Sequence, residues 1–597
     1  MFRYIAIAWN DTQPTSATMA RDLGKAWQTR EHWDAALLRK GLEIYTTGTK
    51  TGVNDVYQLE GESGLVLGAL FRRSAFLSSS AKVAKLSSIE SNSIRQSGGR
   101  SLVTDFWGRY VAFLQTSCGY TSVLRDPSGT LPCFLIEHQG VTIIFSWLED
   151  AMQMLGPLLP WQVNWDALAA QLLLGLQGGT ATTLKAVSQL LPGQLLDIQG
   201  RSEVLLWSAV HIAGTPVDCK VPEAVQLVRD TVQSCTSAWA SCYDTLLLRL
   251  SGGVDSSIVL SCLAPSRTTS DVIGINYHSP GSDSDERHYA RLTAARVGRD
   301  LVERERDPGF RIDRVLNIAR MPDPVPYIGW MNAAMDARLA SAYAAPGLFT
   351  GAGGDAVFYE FPRWWPAADY LHNKGIDTGF AAAAMDAARL GKLSVWRTIS
   401  QALRQRLGLH RTPLGSNGFG DLLTAELLAD DADKRRFGHP AVGKAHGLPV
   451  GKYMQTLALM HPLGYYDPFE QDSAPELVNP LLSQPLVELC LRLPTYLLAH
   501  GGQGRALARR AFASDLPPQI TNRRSKGGME EHIKAVLQSN IELVRGLLLD
   551  GQLARRGLLD RRKAEELLSG RPTALAGPVS QIHALTAIEA WLARWPG

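Results

Sequence analysis

Leu246-Leu247-Leu248-Arg249-Leu250-Ser251-Gly252-Gly253-Val254-Asp255-Ser256-Ser257-Ile258-Val259 is the run on which the fold turns. An apolar segment leads into two glycines, and a helix-like stretch follows. Strand, glycine-rich turn and helix, in that order, make a phosphate-binding architecture. Gly252 and Gly253 have no Cβ, so the backbone can approach a ligand closely. Ser256 and Ser257 place hydroxyls and N–H groups at a helix start, where anions are favoured. Asp255 within such a site would repel phosphate unless a divalent cation lay between them. The run therefore predicts a nucleotide site that uses Mg2+. It is not a Walker loop, which carries Lys before its Ser or Thr.

A second run, Phe349-Thr350-Gly351-Ala352-Gly353-Gly354-Asp355, again sets glycines and one aspartate behind an apolar segment. Ligands gather at the carboxyl ends of strands in parallel α/β sheets. Asp255 and Asp355 can then share one hard cation with phosphate oxygens. Taken alone, Asp355 reads as a turn aspartate; the first loop beside it favours the metal reading.

The rest of the chain frames these loops. At 597 residues, with 45% hydrophobic and 20% charged residues, it is a globular protein of two or three domains. A net charge of +3 singles out no acidic partner. No basic or aromatic stretch suggests nucleic acid. No window approaches a membrane-spanning length of about twenty apolar residues, and Met1–Ala8 reads as a strand without a cleavage pattern. Seven scattered cysteines (118, 133, 219, 235, 242, 262 and 490) show no zinc spacing and suit a reducing cytoplasm.

Residues 1–210 read as mostly β, with strands at Trp107–Leu114 and Val141–Ser146 and a strand running into a turn over Thr121–Gly129. The serine-rich stretch Leu77–Gly99 reads as a mobile loop. A proline-containing connector, Gly214–Pro222, divides a domain at 1–212 from one at 220–597. Beyond it, strands alternate with helices, as in a parallel α/β sheet. The strands are Leu246–Leu250, Val272–Tyr277 and Leu348–Thr350. The helices are Pro222–Ala240, Asp285–Val297 and Trp330–Ala344. Past Phe358 the chain reads as helical. Its arginine- and alanine-rich part over 380–440 is either an exposed elaboration or part of a peptide-binding surface.

The first loop resembles the SGGxDSS loop of the ATP pyrophosphatases. The motifs together resemble the asparagine synthetase family over most of the chain. Arg125-Asp126-Pro127-Ser128-Gly129 and Leu191-Pro192-Gly193 look like landmarks of that family's glutaminase-like domain. Ser284–Ala290, Asp323-Pro324, Thr350–Asp355, Asn479–Glu488 and Arg523–Gly527 look like successive synthetase motifs. The resemblance implies an N-terminal Ntn-hydrolase-like β-sandwich of the class II glutamine amidotransferase kind. It is followed by an α/β ATP pyrophosphatase domain with a helical C-terminal elaboration. It also implies ATP and Mg2+. Asp255 and Asp355 would hold the metal, and Leu250, Ser251, Gly252, Gly253, Asp255, Ser256 and Ser257 would cradle ATP. Ile275 would line the adenine, Gly351 would let the backbone approach the nucleotide, and Lys526 would stabilise developing charge. Glu476 would orient the amine or take its proton. Lys526 also reads as a surface lysine, and Glu476 as a helix-start carboxylate.

Two departures narrow the reading. Glutamine-using members carry a cysteine nucleophile directly after the initiator Met, and here that residue is Phe2. Phenylalanine cannot attack an amide, so the amine must come from elsewhere, most simply from the substrate. Ala352 stands where asparagine synthetases have Glu and β-lactam synthetases a catalytic Tyr, and Ala356 replaces the following Glu. The branch with a silent N-terminal domain that Glu488–Pro494 and Gly501–Phe512 most resemble is the lasso-peptide macrolactam synthetases. That branch implies a precursor peptide as substrate, with a leader-binding protein and a leader peptidase as partners. The alternatives are a small-molecule amide ligase of asparagine- or β-lactam-forming type, and a non-catalytic nucleotide-binding protein that presents peptide.

Overall fold

Alternation along Leu246-Leu247-Leu248 puts successive side chains on opposite faces of a strand. The computed structural model of the chain bears this out. Leu246 and Leu248 are buried with Val228, Val232 and Ile258, whereas Leu247 is buried with Ile273, Leu339 and Leu348. Both faces are therefore covered, as a parallel sheet requires. The structure describes all residues except 51, 75–81, 116–119, 176–177, 268–269, 282–284, 308, 326–329, 410–418, 420–421, 430–434, 461–472, 525–526, 570–578 and 596–597.

The described N-terminal strands are β1 (Arg3–Trp9), β2 (Asp34–Arg39), β3 (Leu42–Thr47), β4 (Asp55–Gln58), β5 (Gly64–Arg72), β6 (Phe106–Gln115), β7 (Thr121–Arg125), β8 (Phe134–His138), β9 (Val141–Phe145), β10 (Ser188–Gln189), β11 (Gln194–Asp197) and β12 (Ser202–Leu205). They form two six-stranded sheets, ordered β10-β8-β9-β1-β3-β2 and β12-β11-β7-β6-β5-β4. Phe2, Tyr4, Ile44, Leu67, Val111, Phe113 and Trp147 fill the space between them. The outer face of the first sheet carries Ile5, Ile7 and Phe145. It packs on the helix Pro14–Gln28 and on the C-terminal helix Val579–Leu592.

The second domain is built on five parallel strands: β13 (Thr245–Arg249), β14 (Asp271–His278), β15 (Asp300–Glu305), β16 (Gly347–Phe349) and β17 (Glu476–Val478), in the order β15-β14-β13-β16-β17. Three of these strands and three flanking helices were expected. The helices are Val221–Ala240, Arg287–Val297 and Ala333–Ala342. The structure adds β15 and β17, neither of which was expected. The sequence of β15, Asp-Leu-Val-Glu-Arg-Glu, is that of a half-exposed edge, where charged residues guard unpaired backbone.

Two N-terminal expectations are corrected. Ser88–Gln96, inside the supposed serine-rich loop, is a helix started by a capping box between Ser87 and Glu90. The region read as mostly β also holds the helix Pro14–Gln28, with Ala20, Leu23 and Trp27 on its buried face. No helix among the described residues is long and apolar enough to cross a membrane.

The two domains share one hydrophobic core. Phe71 stacks on Trp107 with ring centroids 4.5 Å apart, and Trp239 from helix Val221–Ala240 meets Phe71 edge-on at 4.9 Å. Polar anchors surround this junction. Arg73 makes a two-pronged pair with Glu488 at 2.8 and 2.9 Å, and the Trp207 indole donates to the same carboxylate at 2.9 Å.

Candidate active site

The first loop folds on its own hydroxyls. Ser256 Oγ accepts from the Ser251 amide at 3.2 Å, Ser251 Oγ accepts from the Gly253 amide at 3.3 Å, and Ser257 Oγ donates to the Gly253 carbonyl at 2.7 Å. Gly252 has φ +75°, and a Cβ there would lie 2.9 Å from both the Glu286 carbonyl oxygen and the Tyr289 Cβ. The helix Val254–Cys262 starts at Gly253 with no side-chain cap. Its first-turn amides thus point to the mouth of the loop, where an anion is stabilised.

The second loop leans directly on the first. A Cβ on Gly351 would sit 2.8 Å from the Ser256 Cα, and one on Gly354 2.5 Å from the Asp255 Cγ. These two glycines are what allow the loops to touch. Thr350 shapes the turn: its hydroxyl accepts from the Ala352 amide at 2.9 Å and donates to Asn479 at 2.6 Å. Asp255 and Asp355 are brought together as expected. The Asp255 side chain is 10% exposed and that of Asp355 55%.

Between them lies a residue not expected at the site. Arg505 Nε binds both oxygens of Asp255 at 2.9 and 3.0 Å, one terminal nitrogen binds Asp355, and the other binds Glu360 at 2.5 Å. One guanidinium thus bridges three carboxylates from two segments. Arg509, one turn further, donates to the carbonyls of Gly504, Ile520 and Thr521. Burial, with Arg505 alongside, holds its pKa down to about 10. The only sign of Arg505 in the sequence is the run Gly501-Gly502-Gln503-Gly504 before it, which reads as a family likeness and assigns the arginine no partner.

The expected metal ligands suit a hard divalent cation: two carboxylates that converge on one positive group can converge on another. Among the described residues no three His, Cys, Asp or Glu side chains group to hold a metal by themselves. A cation here would draw its remaining oxygens from nucleotide phosphate.

Lys526 lies outside the described residues. Its flanks are nevertheless tied to the first loop. Arg523 pairs with Glu286 at 2.7 Å, donates to the Gly252 carbonyl at 3.2 Å and lies 3.8 Å over the Tyr289 ring. The Gly527 amide donates to the same Glu286 at 3.0 Å. Both sides of position 526 are therefore anchored beside the glycine turn.

Two expected residues lie elsewhere. Ile275 is 1% exposed, with its side chain in the core among Leu247, Ile273 and Leu348. Its carbonyl accepts from the Leu250 amide at 2.8 Å, so its part at the loop is played by backbone. Glu476 opens β17 in register with Gly347, at the amino end of the sheet, whereas both loops leave the carboxyl ends. Its carboxylate binds Arg109 at 3.0 Å, the Tyr243 hydroxyl at 3.2 Å and Asn54. That is the hydrogen bonding of a domain junction.

In the N-terminal domain, Phe2 is wholly buried between the sheets. The Arg125–Gly129 turn is also closed. Arg125 donates to the carbonyls of Leu131 at 3.0 Å and Leu190 at 2.6 Å, and to that of Gly129. Asp126 accepts from the amides of Tyr110, Ser128 and Gly129 at 3.1, 2.7 and 3.1 Å.

The asparagine synthase family profile matches residues 227–593. The chain belongs to the asparagine synthase family. As a member it is, in general terms, an ATP-dependent amide ligase, and the touching glycine loops lie within the matched part. No curated protein matches the chain. Among solved structures it is similar to an allosteric regulatory enzyme of purine biosynthesis, at 9% identity over 52% of this chain and 75% of that one, with a TM-score of 0.20. It is also similar to a glutamine-dependent NAD+ synthetase from Acinetobacter baumannii in complex with ADP, at 12% identity over 54% and 76%, with a TM-score of 0.16. These likenesses are too distant to say which member of the family this is.

Proposed function

We propose that this asparagine synthase family member is a lasso-peptide cyclase. It would activate an Asp or Glu side chain of a precursor peptide and join it to the peptide's own α-amine. The observation that carries the reading is Phe2. With an aromatic ring buried where the glutamine-using relatives have their nucleophile, ammonia has no source in this chain, and the amine falls to the substrate. Ala352 supports the same choice, since it offers neither the acid nor the phenol of the small-molecule branches.

In this reading the substrate carboxylate oxygen attacks the α-phosphorus of ATP, and the bond to pyrophosphate breaks. The first-turn amides of the helix Val254–Cys262 and the Ser251 and Ser256 hydroxyls receive the phosphate charge. A Mg2+ held by Asp255 and Asp355 would supply further neutralisation of that charge. The peptide α-amine then attacks the acyl carbon, AMP leaves, and the amine gives up a proton. Lys526, which falls in the sequence between Arg523 and Gly527, both bound to Glu286, would steady the negative charge of that step. Activation is required because a free carboxylate is a poor acyl donor, and holding amine and adenylate together supplies much of the rate. Exclusion of water protects the adenylate. A leader-binding protein and a leader peptidase would deliver the peptide with its α-amine exposed.

The test is pyrophosphate release and product mass with ATP, Mg2+ and a panel of peptides bearing a free α-amine and one Asp or Glu. We expect release that depends on Asp255, lost by about a hundredfold or more in Asp255→Ala, with a peptide product lighter by one water. Release only with free aspartate and ammonia, and no dehydrated peptide, would return the chain to the small-molecule ligases.

A further inference from the structure

We infer that Arg505 is the resident counter-ion of the Asp255–Asp355 pair and gives up that place when a divalent cation binds. The inference rests on the metal site of the reading above and goes beyond it, by assigning a role to a residue that coordinates nothing.

Charge comes first. Asp255 comes from the first loop and Asp355 and Glu360 from the second loop and the turn that follows it, and all three bind one guanidinium. Without a cation, carboxylates gathered this closely repel one another, and partial burial strengthens the repulsion. Arg505, 6% exposed at its side chain, supplies the missing charge. Its planar fork suits three carboxylates at once. Nε spans both oxygens of Asp255 while the two terminal nitrogens reach the other two.

The backbone indicates that this placement is specified. Arg505 sits at φ +57°, a left-handed conformation uncommon for a side chain of its kind, at the start of the helix Ala506–Ala511. A Cβ on the preceding Gly504 would strike the Glu360 carboxylate. A larger residue there would have to displace the Glu360 carboxylate from its place beside Arg505.

The same geometry makes Arg505 and a metal ion competitors. A cation shared by Asp255 and Asp355 needs oxygens that Arg505 now holds on both residues. Glu360 offers the guanidinium a seat outside that pair, so Arg505 can yield Asp255 and Asp355 without leaving the cluster. Metal affinity is then the difference between two occupancies of one pair of carboxylates. Arg505 is a positioning residue: it keeps the two loops assembled before the metal arrives and lowers the affinity with which the metal binds.

The test is Mn2+ binding, followed by electron paramagnetic resonance of the free ion, in the presence of α,β-methylene-ATP, whose α–β bridge cannot be cleaved. Arg505→Met should bind Mn2+ tighter by about tenfold, in the range typical of such couplings. It should also melt earlier without metal and gain more from Mg2+ than the wild type. Glu360→Gln should bind Mn2+ more weakly, because it removes the alternative seat, and should have no effect in the Arg505→Met background. Weaker or unchanged binding in Arg505→Met would overturn the inference, as would a Glu360→Gln effect that persists in the double variant. If the wild type binds the nucleotide but neither it nor any variant binds Mn2+, the metal site itself falls, and the inference with it.

Discussion

Two aspartates, one in each domain, are each reached by an arginine or its neighbours, and the contrast between them is instructive. Asp126 is wholly buried, accepts from three backbone amides, and sits beside an arginine that donates to three carbonyls. The Asp255 carboxylate is gripped by Arg505, a side chain from another segment. The first arrangement cannot open without unfolding the turn. In the second, the link between Asp255 and Arg505 breaks when one guanidinium moves. A turn that resembles a landmark of a glutaminase-like domain serves as internal scaffolding in one half of the molecule, while the other half keeps its carboxylates available.

The sharpest way to break this comparison is to remove the buried arginine. Arg125→Ala strands three carbonyls and should cost about 3–5 kcal/mol, read as a lowered urea midpoint. Arg505→Met, at a partly exposed cluster, should shift the same midpoint less. Equal shifts would erase the distinction.

A smaller effect should appear in the pH dependence. Burial pushes the Asp126 carboxyl up to about 6, against the pull of Ser128 and Arg125. Its value in the unfolded chain is about 4. The folded state therefore holds the proton more tightly, so the stabilising contribution is complete below about pH 4 and is lost as the pH rises to about 6. Wild-type stability relative to Asp126→Asn should fall across that window in denaturation series at fixed ionic strength. A pH-independent difference would mean that the amides hold Asp126 ionised throughout.

The smallest change concerns the Glu286 contacts with Arg523 and Gly527. Glu286→Gln weakens the anchor shared by Arg523 and the Gly527 amide. It should speed limited trypsin cleavage after Arg524 or Lys526 several-fold while leaving the melting temperature within a degree or two. Unchanged cleavage would show that the Arg523 contacts with Gly252 and Tyr289 suffice.

The nucleotide loop is legible in the sequence because its signal is local: apolar alternation, two glycines and capping hydroxyls within a dozen residues. The convergence of Asp255 and Asp355 is legible because parallel topology dictates it. The helix at Ser88–Gln96 is hidden because its capping box lies in a serine-rich stretch whose composition imitates a loop. Glu476 reads as a chemical residue because its sequence neighbours resemble a family motif, yet Asn54, Arg109 and Tyr243, which hold it, are set far apart along the chain. Arg505 escapes a reading of the sequence for the same reason: its three partners lie 250, 150 and 145 positions away, and no spacing rule spans such distances.

The aromatic contact of Phe71, Trp107 and Trp239 has a consequence for how this chain can change over time. In the proposed function the N-terminal half carries no chemistry of its own, and such a half is ordinarily free to be shed. Here its second sheet, through β5 and β6, is one wall of the core that also buries Leu246 and Leu248 beneath the nucleotide loop. Severing the chain at the 214–220 connector would expose that wall on both pieces, leaving two sticky fragments in place of one ligase and its discarded companion. The silent half persists as the mortar of the working one.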